Sequence, residues 1–273
     1  MTENCRDAWT EPRPAWPDRD SRRIEARDGV EIHVDICGDE RDQTVVFVHG
    51  GGASRLAWDK QVEALEQQYH VVVPDLRGHG LSEKPTTPTR KGFDVVAVLN
   101  ELGLDDAVLV AWSRGAVAVL DAVALAGTDR IRAINFVGAH PGVGKGLDPF
   151  IHEAFADLPE GLRGHERFVW ALFSADPRPP EYHYFLAMRC RHEPDSHRRS
   201  FHGETLPQVD VPVLLTHGEC DSVVLPRTLE TFQAEIPRTE TSTYEGIGHM
   251  PFWDAPERFN AELRAFVDDL AGT

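Results

Sequence analysis

The chain has 273 residues, 41% of them hydrophobic and 27% charged, with a formal net charge of −17. Such a length accommodates one large α/β domain with an insertion, and no segment approaches the ~18 consecutive apolar residues of a membrane-spanning helix. The excess of carboxylates repels nucleic acid and anionic membrane and favours solubility. The only lysines are Lys60, Lys84, Lys91 and Lys145, a balance that fits a salt-adapted organism and an ordinary acidic bacterial enzyme equally well. Cys5, Cys37, Cys190 and Cys220 lie far apart without CxxC spacing, so neither a zinc site nor a disulfide scaffold is indicated. The first residues, Met1 to Asp7, are polar and mixed in charge, unlike a secretory signal. A cytoplasmic protein is therefore expected.

Residues 1–20 carry Pro12, Pro14 and Pro17 without apolar periodicity and read as an irregular arm. Arg22 to Arg27 and Val30 to Ile36 flank Asp28-Gly29, a two-residue hairpin signal. The second of these strands alternates, with Glu31, His33 and Asp35 on the face expected to meet water. Thr44 to Val48 is apolar without alternation, as a parallel strand buried on both faces should be, and runs into His49-Gly50-Gly51-Gly52. Glycines placed there leave amide N–H groups pointing into open space, where an oxyanion is able to sit. Helical spacing follows from Trp58 to Gln68, then a strand over His70–Pro74. In the next stretch, Asp75 to Ser82, the polar side chains Asp75, Arg77 and His79 are expected to tie a tight loop together.

A helix from about Phe93 to Leu102 leads to the apolar run Val108 to Trp112. That run stops at Ser113 and resumes at once as a helix from Arg114 to about Ala126. Strand, sharp turn and helix around a serine, with small residues beside it, is the Gly-x-Ser-x-Gly arrangement that lifts a hydroxyl clear of a sheet. Here Ala111 stands for the first glycine and Gly115 for the second. Ile131 to Val137 is another buried strand, and strands alternating with helices imply a mostly parallel sheet. Residues 140–206 break the rhythm with three amphipathic pieces, Phe150 to Leu158, Glu166 to Phe173 and Glu181 to Arg191, and read as a helical cap inserted into a core of 21–139 and 207–273. The rhythm returns with Val211 to Thr216, a helix opened by Pro226, a strand over Thr239–Tyr244 and a closing helix from Pro256 to Leu270 with Phe259, Leu263, Phe266 and Val267 on one face. Eight strands result.

Asp221 and His249 each follow one of these late strands. Loops at the carboxyl ends of parallel strands converge on the ligand crevice, and Ser113, Asp221, His249 is the chain order of an α/β-hydrolase triad. The preceding loop, Val137-Gly138-Ala139-His140, offers no carboxylate. On His49-Gly50-Gly51-Gly52, Asp75 to Ser82, Ala111-Trp112-Ser113-Arg114-Gly115, His217 to Pro226 and Gly248-His249, the sequence resembles the α/β-hydrolase superfamily. The likeness is to its cap-bearing branch of non-haem haloperoxidase-like esterases, lactonases and carbon–carbon bond hydrolases, and it spans about Arg22 to Leu270. The resemblance implies Ser113 as nucleophile, His249 as general base and Asp221 as its orienting acid. The backbone N–H groups of Gly51 and Arg114 would form the oxyanion hole. It implies no metal and no organic cofactor. A pocket walled by Gly52, Trp58, Trp112, His140 and Trp170 is expected beneath the cap. Its occupant would be a small uncharged ester or lactone, with a diketo ring-cleavage product or a receptor's small ligand as alternatives. Monomer and homodimer remain equally open.

Overall fold

The computed structural model describes residues 19–85, 90–142 and 203–270, together with Glu166, Val169, residues 171–173, Phe185 and Met188. Eight strands form one sheet: β1 (Asp20–Glu25), β2 (Glu31–Cys37), β3 (Thr44–Val48), β4 (His70–Pro74), β5 (Ala107–Trp112), β6 (Ile131–Val137), β7 (Val213–Gly218) and β8 (Thr239–Tyr244). Their spatial order is β1-β2-β4-β3-β5-β6-β7-β8. β2 runs antiparallel to both β1 and β4, and every other pairing is parallel.

The helices described are α1 (Asp59–Leu65), α2 (Gly92–Glu101), α3 (Arg114–Ala126), α4 (Thr228–Glu235), α5 (Pro251–Asp254) and α6 (Pro256–Leu270). They divide between the two faces of the sheet, which explains the unbroken apolar runs. In β3, Val45 and Phe47 join α1 and α6 in one core cluster, while Val46 and Val48 join α2 and α3 in the other. A strand covered on both faces has no side left to be polar.

The amino-terminal strands depart from expectation in two ways. The hairpin loop has three residues, Arg27-Asp28-Gly29: Ala26 N donates to Val30 O, and Gly29 N donates to Ala26 O. Gly29 takes φ +81, the left-handed position of a turn closed by a bulge. The alternating strand is not a water-facing edge either. His33 and Asp35 are buried, because β1 covers one side of β2 and the segment after the glycine loop lies over its polar face. Arg55, in a short 3₁₀ turn (Arg55–Trp58) ahead of α1, donates to Asp35 at 2.6 Å. Period-two alternation records polarity, and here the polar partner is a buried guanidinium instead of water.

Smaller shifts occur elsewhere. α1 starts at Asp59 and ends at Leu65, β7 starts two residues late at Val213, and α5 was not foreseen. Most of the arm and of the expected cap lies outside the described residues. Of the described residues in that expected cap, Val169, Leu172, Phe173, Phe185 and Met188 are buried in the same cluster as Trp112, Phe252 and Trp253.

Candidate active site

β5 ends at Trp112 and α3 begins at Arg114, so Ser113 alone must turn the chain. It does so at φ 53, ψ −117, a backbone region that costs a non-glycine residue about 1–3 kcal/mol. The neighbours hold it there. Ser113 N donates to Val137 O at 2.8 Å, and Ser113 O accepts from Ala116 N at 3.0 Å. Gly115 permits the turn because a Cβ at that position would stand 2.5 Å from Val48 O and 2.8 Å from His49 O. Ala111, in the place of the first glycine, is fully buried between Val48 and Phe136.

Asp221, just past β7, is buried and fully engaged. Its Oδ1 accepts the amides of Val223 (2.8 Å) and Val224 (2.9 Å), and its Oδ2 lies 2.7 Å from His249 Nδ1. A carboxylate only accepts, so the proton between them sits on Nδ1 and leaves Nε2 as an acceptor. That Nε2 is buried and has no hydrogen-bond partner among the described residues. Elsewhere in a fold an orphaned polar atom of this kind costs about 1–3 kcal/mol. Trp112 fixes the loop of His249 by donating from Nε1 to His249 O at 3.0 Å, with the two rings 5.5 Å apart. The Gly138 backbone abuts the same imidazole; a Cβ there would be 3.1 Å from Nδ1. Ser113 bonds to Val137, the last residue of β6 and the neighbour of Gly138, so Ser113, Asp221 and His249 share one edge of the sheet. Sequence reasoning missed His217, whose Nε2 lies 3.0 Å from Val224 O and 3.3 Å from Asp221 Oδ2. Its i,i+4 spacing from Asp221 was the available signal.

The glycine loop after β3 is stitched to the loop after β4 by two imidazoles. His49 donates from Nδ1 to Gly50 O (2.8 Å) and accepts from Leu76 N at Nε2 (2.9 Å). His79 donates from Nδ1 to Arg77 O (2.9 Å) and accepts from Gly52 N at Nε2 (3.2 Å). Both rings are therefore neutral, and burial pushes His49 down to about 4. The Gly52 amide is thus spent inside the loop. The Gly51 backbone lies against the side chain of Arg114, where a Cβ would be 2.5 Å from Cδ. Asp75 completes the stitching by accepting from Arg55 N (2.7 Å), Arg55 Nη1 (2.8 Å) and Leu81 N (2.9 Å). Arg77 is held by Asp94 (Nε to Oδ1, 2.7 Å) and by Asp28 (Nη1 to Oδ2, 2.6 Å).

Among the expected pocket residues, Trp112 touches both the glycine loop and Phe185 of the expected cap. A Cβ at Gly50 would press on its ring, and Phe185 meets it edge-on at 6.4 Å. Phe185 also packs edge-on against Trp253 at 4.8 Å and Phe173 at 5.5 Å. Ser54 donates to Met188 Sδ at 3.0 Å. His140 is buried and accepts from Gly142 N at Nδ1 (3.2 Å); burial, with Arg114 next in effect, pushes it down to about 4. Trp58 is a core residue with no exposed surface, set between Phe47 (4.9 Å) and Phe252 (4.3 Å). Trp170 lies outside the described residues.

A charged groove of about 1050 Å³, lined by Asp39, Arg41, His70 and Asp106 among others, opens at the amino-terminal end of the strands, away from these loops. Among the described residues no three His, Cys, Asp or Glu side chains come together to hold a metal ion.

Comparison with known proteins bears on this arrangement. The profile of the Alpha/beta hydrolase family matches residues 45–262. A non-heme chloroperoxidase of Kitasatospora aureofaciens is 31% identical, over 89% of this chain and 98% of that protein. A pimeloyl-[acyl-carrier protein] methyl ester esterase of Stenotrophomonas maltophilia is 27% identical, over 88% and 98%. Among solved structures, an esterase from a Rhodococcus species superposes with a TM-score of 0.81 at 30% identity, covering 92% of this chain and 99% of its own. With the mostly parallel eight-stranded sheet and its flanking helices, these matches make the chain a member of the α/β-hydrolase family and an enzyme of the hydrolase class.

Proposed function

We propose that this hydrolase is a carboxylesterase or lactonase acting on small uncharged substrates through an acyl-enzyme. Ser113 is the nucleophile, His249 the general base and Asp221 its orienting acid. The observation that carries the reading is the 2.7 Å bond from His249 Nδ1 to Asp221 Oδ2, which leaves a buried Nε2 without a partner among the described residues, at the sheet edge where the Ser113 backbone is strained. An acceptor nitrogen kept dry and unmatched suits the removal of a proton from a hydroxyl. That the similar Rhodococcus and Stenotrophomonas proteins are esterases supports an ester as the substrate class.

In the first step Ser113 Oγ bonds to the ester carbonyl carbon and its proton passes to His249 Nε2. The carbonyl π electrons move to oxygen, and that oxyanion is received by the amides of Gly51 and Arg114, each worth about 2.7–4 kcal/mol to the transition state. The first turn of α3 adds the positive end of its dipole. Asp221 stabilises the imidazolium without taking its proton. Collapse breaks the bond to the alkoxy oxygen, which leaves with the proton from His249; in a lactone it stays tethered. Water then repeats the sequence on the acyl-enzyme and frees Ser113.

Residues 140–206 act as a cap over this edge, a role supported by the packing of Phe185 against Trp112 and Trp253. An aromatic wall strips water from an uncharged acyl group cheaply and from a carboxylate at high cost. The net charge of −17 repels anions further. A fluorophosphonate should label Ser113, and p-nitrophenyl acetate and butyrate should show higher kcat/KM than a dienoic diketo acid. Faster turnover of the diketo acid would move the enzyme to carbon–carbon bond hydrolysis, and labelling without turnover of any panel ester or lactone would favour a receptor.

A further inference from the structure

We infer that His217 is a positioning residue for the proposed triad: its Nε2–H steadies the Asp221 carboxylate and draws charge from the oxygen that faces His249. This rests on the reading of Ser113, His249 and Asp221 given above. His217 lies near the end of β7 and is 1% exposed. Val224 O can only accept, so the bond at 3.0 Å places the His217 proton on Nε2. Nε2 also stands 3.3 Å from Asp221 Oδ2, so the dipole of its N–H acts on that oxygen while its hydrogen bond goes to Val224 O. Asp221 thereby has an amide pair on Oδ1 and an imidazole pair on Oδ2. Without His217, the only imidazole close to Oδ2 would be that of His249.

The other nitrogen sets His217 apart from a ring that serves the fold only. Its Nδ1 is buried and has no hydrogen-bond partner among the described residues. His49 and His79, by contrast, have both nitrogens met by backbone groups. Burial keeps His217 below its ordinary range and neutral, with Asp221 opposing that shift. A neutral donor suits the place. An imidazolium would cancel the Asp221 charge, whereas a neighbouring N–H dipole only offsets part of it. The titratable groups facing His217 are Asp221 on its own loop and His249 after β8. His140 after β6 is coupled to both His249 and Asp221, and Arg114 at the start of α3 acts on His140. Glu219 and Cys220, in the Asp221 loop, are exposed.

The sign follows. Removing the donor concentrates charge on Oδ2 and strengthens its attraction for imidazolium at His249. His249 then keeps its proton to higher pH, and the carboxylate turns more freely. His217→Phe preserves the ring volume without the N–H, while His217→Gln can offer an amide N–H at the same place. The test is the pH profile of kcat/KM on p-nitrophenyl butyrate, together with the rate of Ser113 labelling by a fluorophosphonate. His217→Phe should raise the midpoint of the acid limb by about half a pH unit or more. Its kcat should fall roughly 3- to 10-fold with KM unchanged, as for one lost hydrogen bond, and His217→Gln should restore both.

A folded Phe variant with the wild-type midpoint, or a Gln variant displaced as far as Phe, overturns the inference. If Phe does not fold, the low-field NMR proton of His249 Nδ1 decides in His217→Gln: kept near its wild-type position it supports the role, and lost it refutes it. Failure of the triad itself looks different, because the wild type would then show neither an acid limb nor label on Ser113.

Discussion

Two halves of the sheet's carboxyl edge treat their buried imidazoles in opposite ways. After β3 and β4, His49, His79, Asp75 and Arg77 are each tied to neighbouring backbone or side chains by named bonds. After β5, β7 and β8, Ser113 is strained and His217 and His249 each keep a buried nitrogen unmatched. Both halves hold buried histidines, so residue type alone does not separate them. What separates them is saturation: an imidazole with both nitrogens engaged is a crosslink, and one with an open nitrogen holds binding capacity in reserve.

The largest effects should come from the unsaturated half and appear in rate. Ser113→Ala should reduce turnover to a trace while leaving the fold intact, because Ser113 makes its structural bonds through its backbone. Asp221→Asn should lower kcat by about 10⁴-fold, since an amide can favour the wrong tautomer of His249. Glu219→Gln, two residues away and exposed, should change kcat less than about twofold, a surface charge being worth little. Circular dichroism beside kcat/KM checks all three. Equal losses at 219 and 221 would dissolve the distinction between the halves.

The saturated half should answer in stability. Arg55 is buried between Asp35 and Asp75, at 2.6 and 2.8 Å. Replacing it with methionine strands two buried carboxylates, an imbalance that costs about 3–5 kcal/mol. Urea unfolding of Arg55→Met measures it, and a shift below about 1 kcal/mol would mean the cluster relaxes into water. Any loss of kcat in that variant would be secondary, passed on through the glycine loop that Arg55 follows.

Acid sharpens the same contrast. His49 ordinarily titrates near 6.5 and is pushed down to about 4 by burial. Above pH 6.5 it is neutral folded or unfolded. Between 6.5 and 4 only the unfolded chain takes up the proton, so its contribution is complete above 6.5 and lost as pH falls toward 4. The full difference is about 3 kcal/mol. Unfolding midpoints at pH 7 and pH 4.5 should therefore diverge more in the wild type than in His49→Asn, and equal divergence would show that His49 does not carry the effect.

Much of this was legible in the sequence where burial is complete. The bounds expected for β3, β4, β6, α3, β8 and α6 coincide with those observed; for β3, β4 and β6 the reason is that a strand covered on both faces is apolar throughout, and α3 starts directly after a forced turn. The polar face of β2 was misjudged. Alternation cannot tell water from Arg55, which arrives from a segment twenty residues on. α5 escaped because four residues are too few for a helical period to show. His217 escaped for another reason: Val213-Leu214-Leu215-Thr216 signals a strand, and nothing in that pattern says where the next ring's nitrogens will point. The order Ser113, Asp221, His249 was visible; the hydrogen-bond accounting that divides the histidines was not.

The smallest effect expected lies at Ser113 itself and separates strain from chemistry. At φ 53 every residue with a Cβ is crowded, so Ser113→Ala removes the nucleophile and keeps the strain. Ser113→Gly removes both. Glycine also loses more chain entropy on folding, which offsets part of the relief. The net gain of Gly over Ala should be about 1 kcal/mol, or roughly 2–4 °C in Tm for a domain of this size. Both variants should be equally inactive, so the comparison is free of any catalytic term. Thermal scans of the pair decide it. If alanine proves as stable as glycine, the bonds from Ser113 to Val137 and Ala116 over-determine the turn so firmly that the backbone has nothing left to release.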